Sequence, residues 1–246
     1  MPEGPSIIIL KDLVEELQLK GQYVTDVSGN TKIDKERLFN QQVVDIRSWG
    51  KHFLICFKDF SLRIHFLLFG TYRINERKES VPRLRLNFET AEINLYGCSV
   101  QFLEGDINSH YDWTADVMSP SWNPVKAAEK LQAKPSMLVC DALLNQDIFA
   151  GVGNIIKNEV LFRIRVHPAS TVGALPPSKL QALIEQAQIY SFEFLEWKKS
   201  YTLKAHWLAH TKRTCPRCLI PLHKEHLGKT NRRSYFCTNC QNLYLE

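Results

Sequence analysis

"CPRCLIPLHKEHLGKTNRRSYFCTNC" (215–240) begins and ends with a C-x2-C knuckle, and 18 residues separate the two pairs. Four thiolates at this spacing suit one tetrahedral Zn2+. Cys215, Cys218, Cys237 and Cys240 fill every ligand position, so the ion is expected to be structural and not catalytic. A segment of about thirty residues buries too little apolar surface to fold well without such a staple. Between the knuckles, "RRSYF" reads as the returning strand of a hairpin and "LGKTN" as its turn. Arg232 and Arg233, near that turn, carry the planar donor fork that suits phosphate. His223 and His226 are expected to be solvated or close to phosphate, because four cysteines already complete the metal site.

The charge is concentrated around this segment. Residues 201–246 hold eight Lys/Arg against two acids, and the other 200 residues hold 23 against 24. A neutral body with a basic tail fits an anionic partner, nucleic acid being the usual one, and fits a solubilising tail equally well. Cys56, Cys98 and Cys140 stand singly in apolar surroundings and read as reduced core residues. A hydrophobic share of 44% in 246 residues is enough for a real core. No apolar stretch reaches the ~18 residues of a membrane span. The amino terminus has neither the basic start nor the long apolar stretch of a secretory signal. A cytoplasmic protein without a membrane partner is expected.

Upstream of the knuckles, residues 125–196 carry apolar residues at helical spacing. "VKAAEKLQA", "PSMLVCDALLNQ", "NIIKNEVLFRI" and "PSKLQALIEQAQIYSFEFLEW" each read as a helix. The second and third are joined by "NQDIFAGVGN". Its G-x-G lacks the third glycine of a dinucleotide loop and follows a helix, not a strand, which excludes a Rossmann turn. Helix, glycine turn, helix can aim backbone N–H groups at a phosphate, with Asn154 able to join them, or can be an ordinary cap between packed helices.

From residue 22 to about 104 the signal is β. "QYVTDV", "QQVVDIRSW", "HFLICFK", "SLRIHFLLF", "GTYRIN", "RLRLNF", "AEINLYG" and "SVQFLE" are short and broken by turn residues, as in an antiparallel sandwich or barrel. Lys51 follows a Trp-Gly turn at the head of one strand. Leu67, Leu68 and Phe69 end another before Gly70, and three consecutive apolar residues cannot all face inward. They divide between core packing and an exposed wedge of the kind that enters a base stack. "DINSHYDWTADVMSPSWNP" (106–124) is polar with two prolines and reads as a linker.

The chain opens "MPEGPSIIIL", with a helix expected over 3–18. Pro5 suits a first helical turn and Ser6 a cap. Removal of Met1 would give Pro2 a free secondary amine, with Glu3 as its nearest acid.

In this order, "PEGP", the "GK" turn, the "GVGN" helix–two-turn–helix and the terminal four-cysteine finger resemble the formamidopyrimidine-DNA glycosylase/endonuclease VIII family over nearly the whole chain. The resemblance implies an α+β protein: an amino-terminal helix with an antiparallel β-sandwich (1–110), a linker (111–125), a helix–two-turn–helix domain (126–210) and a zinc finger (211–246). It implies a monomeric DNA glycosylase and abasic-site lyase of base excision repair, acting on damaged double-stranded DNA. Pro2 would attack C1′ of the damaged nucleotide, Glu3 would be general acid/base, and Lys51 would bind phosphate and assist base release. Asn154 and Arg232 would grip phosphates beside the flipped nucleotide. Leu67, Leu68 and Phe69 would fill the void it leaves.

"NLYGCSV" stands where the 8-oxoguanine-directed branch carries an Arg-Phe pair. "KKSYTLKAHWLAHTKRT" (198–214) leaves no room for that branch's long capping loop. Both features resemble the endonuclease VIII branch and imply oxidised pyrimidines as substrates. Ser6 replaces the family's second glutamate, which bears on lesion preference and on base release more than on strand cleavage.

Overall fold

The computed structural model describes residues 2–245, and the chain divides into two compact units, 1–112 and 113–246. The division falls inside the segment read as a linker. Its second half is structured: Ala115, Asp116, Val117 and Met118 are buried, and Asp116 bridges to Ala150.

The first unit begins with α1 (Gly4–Glu15). This helix is shorter than the expected 3–18. Its N-cap is Glu3, and Ser6, already in the first turn, donates its backbone N–H to the Glu3 carbonyl at 2.8 Å instead of capping. Six strands follow: β1 (Asp26–Ser28), β2 (Asp45–Trp49), β3 (His52–Cys56), β4 (Phe60–Ile74), β5 (Leu84–Asn87) and β6 (Glu92–Glu104). All are antiparallel, in the order β1-β5-β6-β4-β3-β2.

Two pairs of strands expected to be separate are continuous. "SLRIHFLLF" and "GTYRIN" are both β4; "AEINLYG" and "SVQFLE" are both β6. The glycines that looked like turns face each other. Phe66 pairs with Cys98 and Thr71 with Tyr96, so residues 67–70 oppose Gly97 alone, in a wide bulge. A Cβ on Gly70 would lie 2.7 Å from the Gly97 carbonyl oxygen, and Gly97 has φ +58°. Only two glycines allow this approach.

The bulge divides the sheet into two halves, one with β2 and β3, the other with β1 and β5. Inward residues of both share one core: Leu62, Ile64, Phe66 and Cys98 from the first, Leu84, Leu86, Ile93 and Leu95 from the second. The expected sandwich is thus built from one folded-over ladder around a common core. Ile7, Leu10 and Val14, one stripe of α1, enter the same core. That stripe lays α1 against β2 and β3.

The second unit holds α2 (Pro124–Gln132), α3 (Val139–Leu144), α4 (Asn154–Arg163), α5 (Pro177–Lys199) and the hairpin β7 (His223–Leu227)/β8 (Arg232–Phe236). Asn123 caps α2 by accepting the N–H groups of Val125 and Lys126. The hairpin lies where it was read, with its turn at 228–231. No helix among the described residues is long and apolar enough to cross a membrane. Cys56, Cys98 and Cys140 are reduced and buried, and burial raises each thiol pKa.

Candidate nucleic-acid interface

In the first unit, Pro2 lies half-buried immediately outside α1. Glu3 follows in extended conformation (φ −110°, ψ 172°) and is 2% exposed. Its carboxylate makes no cap to the helix's own N–H groups. Lys51 sits on the β2–β3 turn, the strand pair beneath α1, and Gly50 before it has φ +53°.

Behind Lys51 lies a cluster that inspection of the sequence missed. His52 and His65 face each other across β3 and β4, ring centres 5.4 Å apart. His52 Nδ1 is hydrogen-bonded to the Tyr111 hydroxyl at 3.1 Å. Trp49 packs on Tyr111 at 4.9 Å and donates its indole N–H to the Asp112 carbonyl at 3.0 Å. Burial, then the positive charge of Arg63, His65 and Lys51, push the His52 pKa down to about 3. Burial, Lys51 and Arg63 also lower His65. Lys51 and Arg63 therefore form a cationic face whose histidines stay neutral. His65 precedes the bulge by two residues, so this ring pair joins the Lys51 turn to Leu67, Leu68 and Phe69. All three bulge residues are exposed, Phe69 to 87%, so none of them packs in the core. The signal available was the His directly after Lys51 in "GKH"; its partner at 65 is set only by strand register.

In the second unit, α4 and the hairpin are built as one piece. Gly153 is the N-cap of α4, in extended conformation, and Asn154 is the first helical residue. The Asn154 amide donates to the Arg233 carbonyl at 3.0 Å, next to Arg232 at the head of β8. Lys157, 1% exposed, donates to the same carbonyl at 3.2 Å and to Ser234 Oγ at 2.8 Å. Asn158 accepts the Tyr235 N–H at 3.0 Å. Asp141 of α3 accepts the N–H groups of Lys229 and Thr230 at the hairpin turn. A Cβ on Gly228 would collide with that carboxylate. Glu159, fully buried, accepts the N–H groups of Leu208, Ala209 and His210. Burial raises its pKa, against the pull of those three donors. The structure thus ties α4 to β8 through the Asn154, Lys157 and Asn158 side chains, with Arg232 one residue before the Arg233 carbonyl they share. Asp141, Lys157, Asn158 and Glu159, which make these bonds, carried no sequence signal beyond polar letters in apolar helices.

The four knuckle sulfurs all lie within 4.8 Å of one another, and Cys215 and Cys240 are 3.7 Å apart. Tetrahedral ligands at a Zn–S length of about 2.3 Å stand about 3.8 Å apart, so the donor set fits zinc. Asn239 Nδ2 and Arg217 Nη1 point N–H groups at Cys218 and Cys240, as second partners of thiolates do. His223 and His226 stay outside the cluster; His223 stacks on Phe236, and His226 Nδ1 is hydrogen-bonded to the Asn231 carbonyl.

Residues 1–100 match the formamidopyrimidine-DNA glycosylase N-terminal domain, and residues 115–202 match the formamidopyrimidine-DNA glycosylase H2TH domain. "Endonuclease 8-like 3" of Bos taurus is 27% identical across 98% of this chain and 46% of its own length. "DNA-(apurinic or apyrimidinic site) lyase Nei2" of Mycolicibacterium smegmatis is 29% identical across 81% of this chain and 82% of its own. The chain spans only 34% to 46% of the length of the endonuclease 8-like 3 relatives it matches. The Lactococcus lactis Fpg in complex with DNA containing an abasic site superposes with a TM-score of 0.84 at 19% identity, over 97% of this chain and 99% of that one. With both domain matches in chain order, the fold and the four-cysteine finger, this chain belongs to the formamidopyrimidine-DNA glycosylase/endonuclease VIII family.

Proposed function

We propose that this chain is a bifunctional DNA glycosylase and abasic-site lyase. The observation that carries this reading is the head of α1. Pro2 stands just outside the helix, and Glu3 is buried beside it with a carboxylate not used in capping. Met1 lies outside the described residues. While Met1 is attached, the Pro2 nitrogen is an amide, so the reactive species is the chain from which it has been removed.

Pro2 nitrogen attacks C1′ of the damaged nucleotide, and the C1′–N bond to the base breaks. The base leaves with a proton, and Glu3 is the general acid/base at the opening sugar. A secondary amine yields a cationic iminium with no N–H left to lose. That cation withdraws electrons as a C2′ proton departs and the 3′ phosphate is eliminated. A second elimination releases the 5′ phosphate. Lys51 binds the phosphate beside the lesion, on the cationic face it forms with Arg63. Asn154 and Arg232 grip flanking phosphates, and Leu67, Leu68 and Phe69 fill the emptied stack. Flipping costs a few kcal/mol, which such contacts offset. Zn2+ held by Cys215, Cys218, Cys237 and Cys240 would fix the hairpin that carries Arg232 and take no part in the chemistry.

The substrates we assign are oxidised pyrimidines and ready-made abasic sites in duplex DNA, cleaved by a monomer. The short 198–214 segment supports the pyrimidine assignment over 8-oxoguanine. Ser6 weights the activity toward strand cleavage.

Borohydride trapping on a duplex with one abasic site tests the reading, after mass spectrometry confirms Pro2 as first residue. A covalent band that disappears in Pro2→Gly, with binding retained, is the expected result. No band from processed, zinc-loaded protein would overturn it in favour of a family member that binds damage without catalysis.

A further inference from the structure

Tyr201 is 98% exposed, the most exposed of the large apolar side chains among the described residues. Its backbone has φ +59°, and it is the only aromatic residue among the described positive-φ positions. It follows α5 in a two-bond stop: the Tyr201 N–H reaches the Lys198 carbonyl at 3.2 Å, and the Thr202 N–H reaches the Trp197 carbonyl at 2.8 Å. This left-handed position is where helices place glycine, because a Cβ there is strained. An aromatic ring that is strained and buries nothing contributes little to folding. Strain of this kind points to a use outside the fold.

The surroundings say which. From Trp197 to Lys224 the chain carries seven Lys/Arg and no acid. Lys199 and Lys204 flank Tyr201 and are exposed. Trp197, four residues before it, is stacked on His206 at 4.2 Å and 5°. The distal end of this loop is fixed, because Glu159 binds residues 208–210. An exposed ring on a rigid, wholly basic loop has the two parts of a single-strand contact: a π face for a base and cations for the phosphates.

We propose that Tyr201 is a stacking platform for an unpaired nucleobase, and that the lysines around it hold the phosphates of a single-stranded DNA segment. The inference rests on the DNA reading above and adds to it a contact with undamaged, unpaired DNA.

The test is fluorescence anisotropy of a labelled 15-nucleotide oligothymidylate at low salt, with the full zinc-loaded chain and its Tyr201→Gly and Tyr201→Phe variants. Tyr201→Gly relieves the strained backbone, so its melting temperature should equal or exceed the parent's. Its affinity for the oligonucleotide should nevertheless fall roughly five-fold to a hundred-fold, the range for loss of one base–aromatic stack. Tyr201→Phe should bind like the parent. Undiminished binding by Tyr201→Gly, equal loss in both variants, or no binding by the parent would each overturn the proposal. Borohydride trapping on the abasic duplex, run on the same preparations, separates the two readings. Tyr201-dependent oligonucleotide binding without trapping would remove the lyase reading and leave the stacking platform standing.

Discussion

Asp141 Oδ1 holds Thr230 twice, accepting its backbone N–H at 3.1 Å and its hydroxyl at 2.9 Å. The other carboxylate oxygen takes the Lys229 N–H at 2.8 Å, across 88 residues of sequence. The turn next to Arg232 is thereby clamped to α3. Hydrogen bonds to a charged group contribute about 1.5–3 kcal/mol each when buried. Asp141→Ala should therefore loosen the turn, destabilise the second unit by about 2 kcal/mol or more, and weaken abasic-duplex binding several-fold. Zinc content should not change. A colorimetric zinc assay beside a binding titration checks this; normal binding with a loosened turn would show that the hairpin tip is not part of the interface.

The bulge makes a second prediction. Leu67, Leu68 and Phe69 are exposed, so replacing all three with alanine should leave the melting temperature of the protein nearly unchanged. The same variant should bind flipped-nucleotide duplexes more weakly, because nothing then fills the void. Gly70→Ala should do the opposite first. Its Cβ would press on the Gly97 carbonyl, so the sheet itself should lose about 1–3 kcal/mol. Thermal melts and binding titrations on both variants separate wedge from scaffold, and a triple-alanine variant of unchanged affinity would remove the wedge role.

The parts that could be read from the chain are those whose signal is local. The cysteine spacing specified the finger, short runs between turn residues specified the strands, and the "GVGN" turn specified the break between α3 and α4. What could not be read is set by partners far apart in sequence. Gly70 and Gly97 each looked like a turn, because nothing local says that one glycine faces the other across two strands. Asp141, Lys157 and Glu159 were no more than polar letters in helices read from their apolar spacing. All three are buried, and each is satisfied by a residue at least 49 positions away. His52 was hidden in the same way, since its partners at 65 and 111 come from strand register and a returning loop.

His52 makes the first unit sensitive to acid. Its folded pKa is lowered from 6.5 to about 3, chiefly by burial and then by Arg63, His65 and Lys51. The unfolded chain therefore takes up a proton first on acidification. The stability tied to neutral His52 is complete above pH 6.5 and is lost as the pH falls toward 3. A tenfold difference in proton affinity between the folded and unfolded chain is worth about 1.4 kcal/mol, so the total loss is on the order of a few kcal/mol. Urea midpoints of the first unit between pH 7 and pH 4 should fall in the parent and fall less in His52→Gln, which keeps a neutral partner for Tyr111. Equal slopes in the two proteins would rule out His52 as the source.

Zinc removal should act on the second unit alone. The apolar cluster under the finger is small, with Phe162, Ala209, Cys215 and Cys237 fully buried at its centre. It cannot hold residues 215–240 against their chain entropy once the metal is gone. Losing the hairpin also strips the buried Lys157 ammonium of its bonds to Arg233 and Ser234, so α4 should loosen as well. Chelation or Cys237→Ser should therefore abolish hydrogen-exchange protection in Arg232–Phe236 and reduce it in Asn154–Arg163. The amides of His52–Cys56 and Phe60–Ile74 should keep theirs. Duplex binding should fall with the hairpin, because Arg232 and Asn154 lose their common frame. If α4 stayed protected in the zinc-free protein, Lys157 would have found other partners, and the coupling between finger and helix argued from its two bonds would be wrong.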